Sequence, residues 1–496
     1  MRFPTLPFYR SRALCLTVLT AGFVFTIFAQ AQVSLTQLSE DTFTDIPSQH
    51  DTEVEPGTFS YGSTILSAFQ VARIYGGGGA DIGFATSTDG GTTWTNGYLP
   101  GITIYEGGTN SAASDAAVAY DALHGVWLIS TLPIGNNTSV AVSRSTDGIN
   151  WSGPIPVTGS ASADKNWIVC DNTAASPYYG HCYSEWDNTS NNDLIQMSTS
   201  TDGGQTWGPA LATAGNDDGI GGVPVVQPNG NVVVPILGFN GYVIAFSSTN
   251  GGESWTKAIN VARDVSHTEA GGLRSGGLVS SAVDAGGKVY VMWSDCRFRL
   301  NCPSNDIVYS TSTNGTTWSK VARVPIDPVS SKVDHFITGA AIAPGTQGAK
   351  AQIALAYYYY PLSKCGNNCS LYAGFIQTSS AGSTWSAAET LAGPMELTWL
   401  PETFSGTMVA DYISVGFAGG NAFPVFAAAQ AKTGSLFHEA IYTTTSGQAA
   451  PTPEQELMSA AGDRPVPNAH SDHGPMEYLD LDHEIPISGK RPPERD

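Results

Sequence analysis

The sequence predicts an all-β fold. A short glycine-containing motif recurs six times, the stretches before each copy have strand-like composition, and 55 Gly and 29 Pro among 496 residues supply frequent turns. Only 13% of the residues are charged, against about 25% in an ordinary globular chain. With 11 Trp, 20 Tyr and 19 Phe the chain can build a large core. This composition excludes disorder as the main state, collagen and coiled coil.

The recurring motif reads Ser-Thr-Asp/Asn-Gly and ends in Trp, and its copies are called the motif turns below. The third position is Asp in three copies, Asn in two and Ala381 in the sixth. These third positions are 58, 55, 48, 64 and 67 residues apart, a period typical of radial arrays of β units. The six copies span residues 87–94, 145–151, 200–207, 248–255, 312–318 and 379–385.

Each motif turn is expected to close a hairpin. Asp or Asn followed by Gly tolerates positive φ, while the hydroxyls and the carboxylate bond nearby backbone amides. The motif resembles the Asp box, or BNR repeat, of sialidase-like β-propellers. The resemblance implies a sialidase-like β-propeller in which these turns lie on the face opposite the substrate site.

The number of blades is inferred from the strands around the motif turns. A seventh group of strands follows the last copy, at 411–417, 423–429 and 436–443, but lacks a fourth strand. Residues 33–42 form a spare strand at the other end of the chain. We therefore expect seven blades, closed by the N-terminal strand in the last blade, which removes free sheet edges. Six blades, as in typical sialidases, is the alternative.

The two ends of the chain differ from its middle. Residues 1–31 have a basic start, an apolar run and a small-residue cleavage site, which predict a signal peptide; a retained membrane anchor is the alternative. The propeller is expected over 32–447. Residues 448–496 are acidic and rich in Pro, which predicts a disordered tail. We expect its removal from residue 450 onward to leave the melting temperature nearly unchanged.

Cysteine spacing and net charge restrict the compartment and the partners. Six cysteines form local pairs typical of disulfides in an oxidising compartment, which predicts a secreted or periplasmic protein; zinc is the competing interpretation. A formal charge of −21 disfavours nucleic acid and anionic lipid. No cofactor is expected; a calcium ion among channel carboxylates is an alternative without a calcium-loop spacing to support it. We expect a monomer. The pairs are Cys170 with Cys182, Cys296 with Cys302, and Cys365 with Cys369.

Candidate site residues are found by sorting the loops of a four-stranded blade. Loops that lead into the first strand share one face with loops between the second and third strands, and such loops around an axial mouth bind ligands in propellers. We expect polar residues of these loops to converge there. The catalytic candidates are Asp164, Asp295, Asp411 and Tyr412, and the substrate-binding candidates are Arg73, Arg274, Arg297, Asp334 and His335.

These residue types fit chemistry on sugars. Glycoside hydrolysis uses two carboxyl groups, or in sialidases a tyrosine nucleophile with a carboxylate base, and arginines bind anionic groups bidentately. The Arg-Ile-Pro motif of sialidases is absent, and Arg73-Ile74-Tyr75 is the nearest match. Two function classes follow for a glycan or glycoconjugate partner. One is a secreted glycoside hydrolase resembling exo-α-sialidases, and the other is a non-catalytic propeller that binds carbohydrate or protein.

Overall fold

The fold consists almost entirely of antiparallel strands. The computed structural model describes residues 33–135, 138–157 and 162–467, so the predicted signal peptide and residues 468–496 of the predicted tail lie outside the described residues. Within those ranges the strands assemble into seven four-stranded units. The first two units are joined into one eight-stranded sheet by a pairing between Gly79 and Ala113. The predicted all-β propeller class is confirmed.

The strands follow the chain from unit to unit. Strand β1 is Leu35–Gln37. The first unit holds β2 (Glu53–Tyr61), β3 (Thr64–Arg73), β4 (Gly79–Ser87) and β5 (Thr95–Tyr98), and the second holds β6 (Ala112–Asp121), β7 (Val126–Ile134), β8 (Ala141–Ser145) and β9 (Ile155–Pro156). The third holds β10 (Ala163–Cys170), β11 (Cys182–Asn188), β12 (Leu194–Ser200) and β13 (Leu211–Ala212), and the fourth β14 (Val225–Val226), β15 (Val232–Gly238), β16 (Tyr242–Ser248) and β17 (Ile259–Arg263). The fifth holds β18 (Ser280–Val283), β19 (Val289–Asp295), β20 (Asp306–Ser312) and β21 (Ala322–Arg323), and the sixth β22 (Asp334–Ile342), β23 (Ile353–Tyr360), β24 (Ser370–Thr378) and β25 (Glu389–Glu396). After the short hairpin β26 (Glu402–Thr403) and β27 (Gly406–Thr407), the seventh holds β28 (Ser414–Ala418), β29 (Asn421–Ala429) and β30 (Glu439–Thr444).

Five single-turn 3₁₀ helices lie in the connections of the described ranges. They are Ile104–Glu106, Thr189–Asn191, Ala270–Gly272, Gly348–Lys350 and Leu397–Trp399. In the part of the chain that the structure describes, no helix is long and apolar enough to cross a membrane.

The first strands of the units contact one another in cyclic order, from β2 through β6, β10, β14, β18, β22 and β28 back to β2. They therefore line a common axis. The seventh unit takes its fourth strand from the start of the chain, because β1 pairs antiparallel with β30, with Leu35 opposite Thr444. This is the closure that the spare strand at 33–42 predicts. It leaves the seventh sheet with the same four-stranded form as the others.

The motif turns have one local geometry. In the first, Asp89 Oδ1 accepts hydrogen bonds from Ser87 Oγ at 2.8 Å and from the Thr93 amide at 2.9 Å. Asp89 Oδ2 accepts from Thr93 Oγ1 at 2.7 Å. Gly90 and Gly91 have φ values of 75° and 87°, which favour glycine. The carboxylate thus satisfies the donors of a turn that has no helix or ladder partner for them.

The tryptophans of the motif turns pack back onto the sheets, as predicted. The ring of Trp255, from the fourth turn, meets Tyr183 of the third unit edge-on at 6.1 Å and Phe246 at 5.7 Å. Trp94, from the first turn, packs with Ile65, Ala418 and Phe423. Apolar side chains therefore fill the spaces between neighbouring sheets.

The sixth motif turn is shifted by one residue from the alignment given above. Thr378 takes the place of Ser87, because its Oγ1 accepts from the Gly382 amide at 3.3 Å as Ser87 Oγ accepts from the Gly91 amide at 2.8 Å. Ser380 therefore stands where the other turns have Asp or Asn. Ala381, with a φ of 56°, stands at the first glycine position.

The three predicted disulfides are confirmed. Cys170 and Cys182 join β10 to β11, where they are directly paired in the sheet. Cys296–Cys302 and Cys365–Cys369 each close a loop between the second and third strands of a unit. Two loops of one face are thereby stapled.

The start of the predicted tail differs from the expected disorder. Gln448 exchanges backbone hydrogen bonds with Ala422 of the seventh unit. Met458 does the same with Trp385 of the sixth motif turn, and the Val466 amide donates to the Arg297 carbonyl at 2.8 Å. Composition alone predicts solvation for such an acidic, Pro-rich stretch, but these pairings hold residues 448–467 against the units.

Candidate functional site

Four of the first strands carry the same local distortion. The pairing register shifts at Glu55, Asp115, Lys165 and Ile337, in the first, second, third and sixth units. The φ values of these residues are 57°, 48°, 44° and 48°. A bulge with a left-handed residue redirects a side chain and costs free energy in a residue other than glycine. The same bulge therefore occurs in four of the seven strands that line the axis.

Three of the bulge residues meet one another, and we call them, together with Arg274 and Asp411, the axial cluster. Lys165 Nζ lies 2.7 Å from Asp411 Oδ2, 3.4 Å from Asp115 Oδ1 and 3.5 Å from Glu55 Oε1. The residues come from four units, yet all are buried. Burying one ion costs several kcal/mol unless partners compensate, and here three carboxyl groups surround one ammonium group.

Arg274 reaches the cluster from a loop. It lies in the connection between the fourth and fifth units, with Gly271 and Gly272 before it and Gly276 and Gly277 after it. Its Nε donates to Asp411 Oδ1 at 2.9 Å and its Nη2 to Asp411 Oδ2 at 2.5 Å. This bidentate geometry is the strongest form of a carboxylate–guanidinium pair. A loop flanked by glycines therefore supplies the guanidinium partner of Asp411.

The carboxyl groups of the cluster differ in acidity. Burial raises the pKa of Glu55 well above its usual value, and the charge of Lys165 offsets only part of this effect. Burial alone would also raise the pKa of Asp411, but the charges of Arg274 and Lys165 outweigh it and hold that pKa well below its usual value. Burial thus favours the protonated form of Glu55, while the neighbouring cations favour the ionised form of Asp411.

A second layer of hydrogen bonds orients Glu55. Gln70 Nε2 donates to Glu55 Oε2 and, at 2.9 Å, to Ser114 Oγ. Arg73 Nη1 donates to Gln70 Oε1 at 3.2 Å and to the Gly78 carbonyl at 2.7 Å. Arg73 is buried, so it connects to the axial cluster through Gln70.

A small cavity adjoins the cluster on the side of the third, fourth and fifth units. Its volume is about 20 Å³, which suffices for one or two water molecules. The rings of Trp167 and Tyr412 meet edge-on at 5.3 Å beside it, and Lys165 Nζ lies 6.0 Å from the centre of the Tyr412 ring. One wall is aromatic and aliphatic while the other is cationic. The lining residues are Lys165, Asn166, Trp167, Gly221, Val223, Leu278, Val279 and Tyr412.

Glu185 lies close to the cavity wall. Its carboxyl group is buried against Gly222, where a β-carbon would come within 2.6 Å of the Glu185 Cδ atom. Among the described residues, neither carboxyl oxygen has a hydrogen-bond partner within ordinary limits. Burial and the charge of Asp187 raise the pKa of Glu185 well above its usual value. Asp164 is buried opposite Asp187 on the same strand pair.

Asp295 and Arg297 pair with each other at the end of strand β19. Arg297 Nε donates to Asp295 Oδ1 at 2.8 Å and its Nη2 to Asp295 Oδ2 at 2.6 Å. Trp293 Nε1 donates to the same Oδ2 at 3.1 Å. Burial nevertheless raises the pKa of Asp295, and burial together with the Asp295 charge raises the pKa of Asp264 to about 7.

Asp334 and His335 belong to the start of the sixth unit. Asp334 Oδ1 accepts from the Asn305 amide at 2.6 Å, and His335 Nδ1 lies 3.0 Å from the Asn305 carbonyl. Burial lowers the pKa of His335, so its ring is neutral at pH 7. These contacts bind the fifth unit to the sixth.

One group in this region has the composition of a metal site. Oxygen and nitrogen atoms of Asp306, Asp327 and His335 lie within 4.8 Å of one another. Arg299 Nη2, however, lies 2.6 Å from Asp306 Oδ1 and 2.8 Å from Asp327 Oδ1, and Arg323 pairs with both carboxylates as well. Two guanidinium groups thus occupy the carboxylates that a cation would need, and the group is an ion-pair network.

The structure brings several of the candidate residues together. Asp411 and Arg274 contact directly, Tyr412 lies beside them, and Asp164 and Arg73 approach through Lys165 and Gln70. Asp295 pairs with Arg297 in the fifth unit, and Asp334 and His335, at the start of the sixth, both contact Asn305.

Three residues of the axial cluster are not among the named catalytic and substrate-binding candidates, although Asp115 and Lys165 belong to the loops expected at the axial mouth. Glu55, Asp115 and Lys165 each occupy the bulge position near the start of a first strand. Their common place in the repeat is a signal that alignment of the units would reveal. The side chains of these residues meet where the backbone has positive φ values. Glu, Asp and Lys do not indicate such a backbone conformation from sequence.

Comparisons with known proteins give likenesses of fold only. No protein-family model matches the chain, and no curated protein matches it by sequence. A protein of unknown function from Dyadobacter fermentans is similar at 16% identity and a TM-score of 0.44, over 70% of this chain and 98% of that one. The NanB sialidase from Streptococcus pneumoniae is similar at 14% identity and a TM-score of 0.43, over 84% and 71%. The intramolecular trans-sialidase from Ruminococcus gnavus is similar at 13% identity and a TM-score of 0.38, over 82% and 97%. At such TM-scores these likenesses assign neither a family nor an activity.

Proposed function

We propose that this chain is a secreted, sialidase-like Asp-box propeller that binds a glycan at the axial cluster and the cavity beside it. The observation that carries the proposal is the meeting of Lys165, Arg274 and Asp411 with the aromatic wall of Trp167 and Tyr412. Sugars present hydroxyl groups to charged partners and C–H faces to aromatic rings, and pockets that bind them combine both kinds of surface.

The charge of the cluster supports a functional role over a purely structural one. Replacing a buried ion pair by apolar groups is often neutral or stabilising, so stability alone gives little reason to collect five ionisable residues on the axis. Groups with strongly shifted pKa values tend to occur in functional sites.

Access to the cluster requires the loop that carries Arg274 to move. The cavity of about 20 Å³ admits water but no sugar ring. The pairs Gly271–Gly272 and Gly276–Gly277 flank the segment that would swing. A sugar carboxylate or vicinal hydroxyl pair would then replace Asp411 as the partner of Arg274.

Hydrolysis is the second candidate function, and one observation favours it. Glu55 and Asp411 both contact Lys165 Nζ, at 3.5 and 2.7 Å, while their pKa values are shifted in opposite directions. Two nearby carboxyl groups whose pKa values are shifted apart are the arrangement that glycosidases use for acid and nucleophile. In this mechanism Glu55 would donate a proton to the leaving oxygen while Asp411 attacks the anomeric carbon, and water would then cleave the glycosyl–Asp411 ester as Glu55 takes back a proton.

The test uses the purified protein and a panel of sialylated and neutral oligosaccharides, with aryl sialosides and aryl glycosides for turnover. We expect binding of at least one glycan, weakened about tenfold by Val279→Leu, because the added methylene fills the cavity. Val283→Leu, at the end of strand β18 that begins just after Val279 and away from the cavity lining, is the matched control and keeps binding. Wild-type protein that binds and cleaves no member of the panel contradicts the proposal, and binding without turnover excludes the hydrolase alone.

A further inference from the structure

The sixth motif turn lacks the side chain that organises the others. In the first and third turns, Asp89 and Asp202 accept a hydroxyl hydrogen bond through Oδ2, at 2.7 Å from Thr93 and 2.6 Å from Thr206. Ser380 stands at this place in the sixth turn. The Ser380 hydroxyl accepts from the Thr384 amide at 3.1 Å and lies 2.9 Å from Thr384 Oγ1, but it has no second oxygen and no charge, so a carboxylate acceptor for the Thr384 hydroxyl must come from outside the turn.

That acceptor comes from far along the chain. Thr384 Oγ1 donates to Glu456 Oε2 at 2.9 Å, and the Ser379 amide donates to Glu456 Oε1. Glu456 is only 6% exposed although its neighbours on both sides are exposed. Its carboxylate therefore occupies the functional place of the missing aspartate.

Backbone pairing fixes this carboxylate in position. The Trp385 amide donates to the Met458 carbonyl at 2.8 Å, and the Met458 amide donates back to the Trp385 carbonyl at 3.0 Å. The Met458 side chain packs against the apolar cluster that contains Trp385. Short strand addition of this kind combines main-chain hydrogen bonds with anchoring side chains.

The same segment continues to the fifth unit. Asp463 Oδ2 lies 3.0 Å from Arg323 Nη1, and Arg323 also pairs with Asp306 and Asp327. The residues before and between the contacts of Glu456, Met458 and Asp463 are exposed, namely 452–455, 457, 459 and 461–462. The segment is thus attached at a few specific points along the outer surface.

We infer that residues 452–466 act as a strap, meaning a segment that follows the propeller and binds to its outer surface. The acceptor surface for this strap consists of the sixth motif turn and Arg323. The surface selects an acidic segment whose Glu and Met are two residues apart. The strap supplies the carboxylate that the sixth motif turn does not contain itself, and it links the sixth unit to the fifth.

The experiment compares four full-length variants: Glu456→Ala, Glu454→Ala, Ser380→Asp and the double variant Ser380→Asp/Glu456→Ala. Glu454 is exposed and belongs to the same segment, so its replacement is the matched control. Exchange of the Ser379 amide should accelerate about tenfold in Glu456→Ala, since two hydrogen bonds to a charged group are lost. Glu454→Ala should exchange like the wild type.

Ser380→Asp restores a carboxylate inside the turn. We expect Glu456→Ala to have a lower melting temperature than the wild type and the double variant to return to the wild-type value. The reason is that the introduced carboxylate can again accept a hydrogen bond from the Thr384 hydroxyl. Proteolysis should cut the segment near Leu457 faster in Glu456→Ala and in the double variant, because neither retains the strap contact. The inference is overturned if Glu456→Ala matches Glu454→Ala in exchange and cleavage, or if Ser380→Asp fails to restore stability.

Discussion

Replacing Asp411 by Asn tests whether the axial cluster is held together by charge. The side chain keeps its shape, but Arg274 and Lys165 lose the carboxylate that they contact at 2.5 and 2.7 Å. All three groups are buried, and removing one partner of a buried ion pair costs about 3–5 kcal/mol. We expect the free energy of unfolding at pH 7 to fall by that amount.

The pH dependence gives this prediction a sign. The pKa of Asp411 is depressed in the folded state from an ordinary value of 3.8, so its contribution to stability is complete above that value and is lost as the pH falls further. The difference in stability between wild type and Asp411→Asn should therefore be constant above about pH 5 and shrink below pH 4.

Urea unfolding of both proteins between pH 3 and pH 8 measures this difference. Lys165→Met is a useful companion, because it removes the cation and leaves Asp411 with Arg274. A loss below about 1 kcal/mol for Asp411→Asn, or a difference that does not change down to pH 3, refutes the charge-based account.

Two further substitutions test the axial cluster and the motif turns separately. Glu55→Gln should cost less stability at pH 7 than Asp411→Asn does, since burial favours the neutral form of the Glu55 carboxyl group. Wild-type stability should fall as the pH rises above 4.5 toward the folded pKa of Glu55, and the variant should lose this slope in urea unfolding; an unchanged slope would assign it to other groups. Trp207→Ala, in the third motif turn, should cost about 2–3 kcal/mol because the partly buried ring packs between units. Glycan binding measured on the folded variant should not change, and a loss of binding would place that turn at the site.

The repeated turns made the fold predictable. Ser, Asp and Gly at fixed spacing dictate a local structure that needs no distant partner, and the disulfides follow from cysteines 4 to 12 residues apart. The spare strand at 33–42 was identifiable because the last unit lacked one. Each of these signals lies within a short stretch of sequence.

The axial cluster and the strap were not predictable in the same way. Lys165 and Asp411 are 246 residues apart in the sequence, and their side chains pair at a place where the Lys165 backbone has a φ of 44°. Glu456 serves a turn more than 70 residues before it, and the acidic, Pro-rich composition around it is typical of disorder. Tertiary contacts outweigh composition in both places.

The pairing of β1 with β30 has a consequence for how the protein is made. Leu35 emerges from synthesis more than 400 residues before its partner Thr444. Until then β1 has no strand to join, and the half-formed ring presents open sheet edges that invite pairing with other chains. A long-range closure of this kind also slows folding. Synthesis must therefore reach Thr444 before the ring can close, and the edges of the growing chain stay open until then.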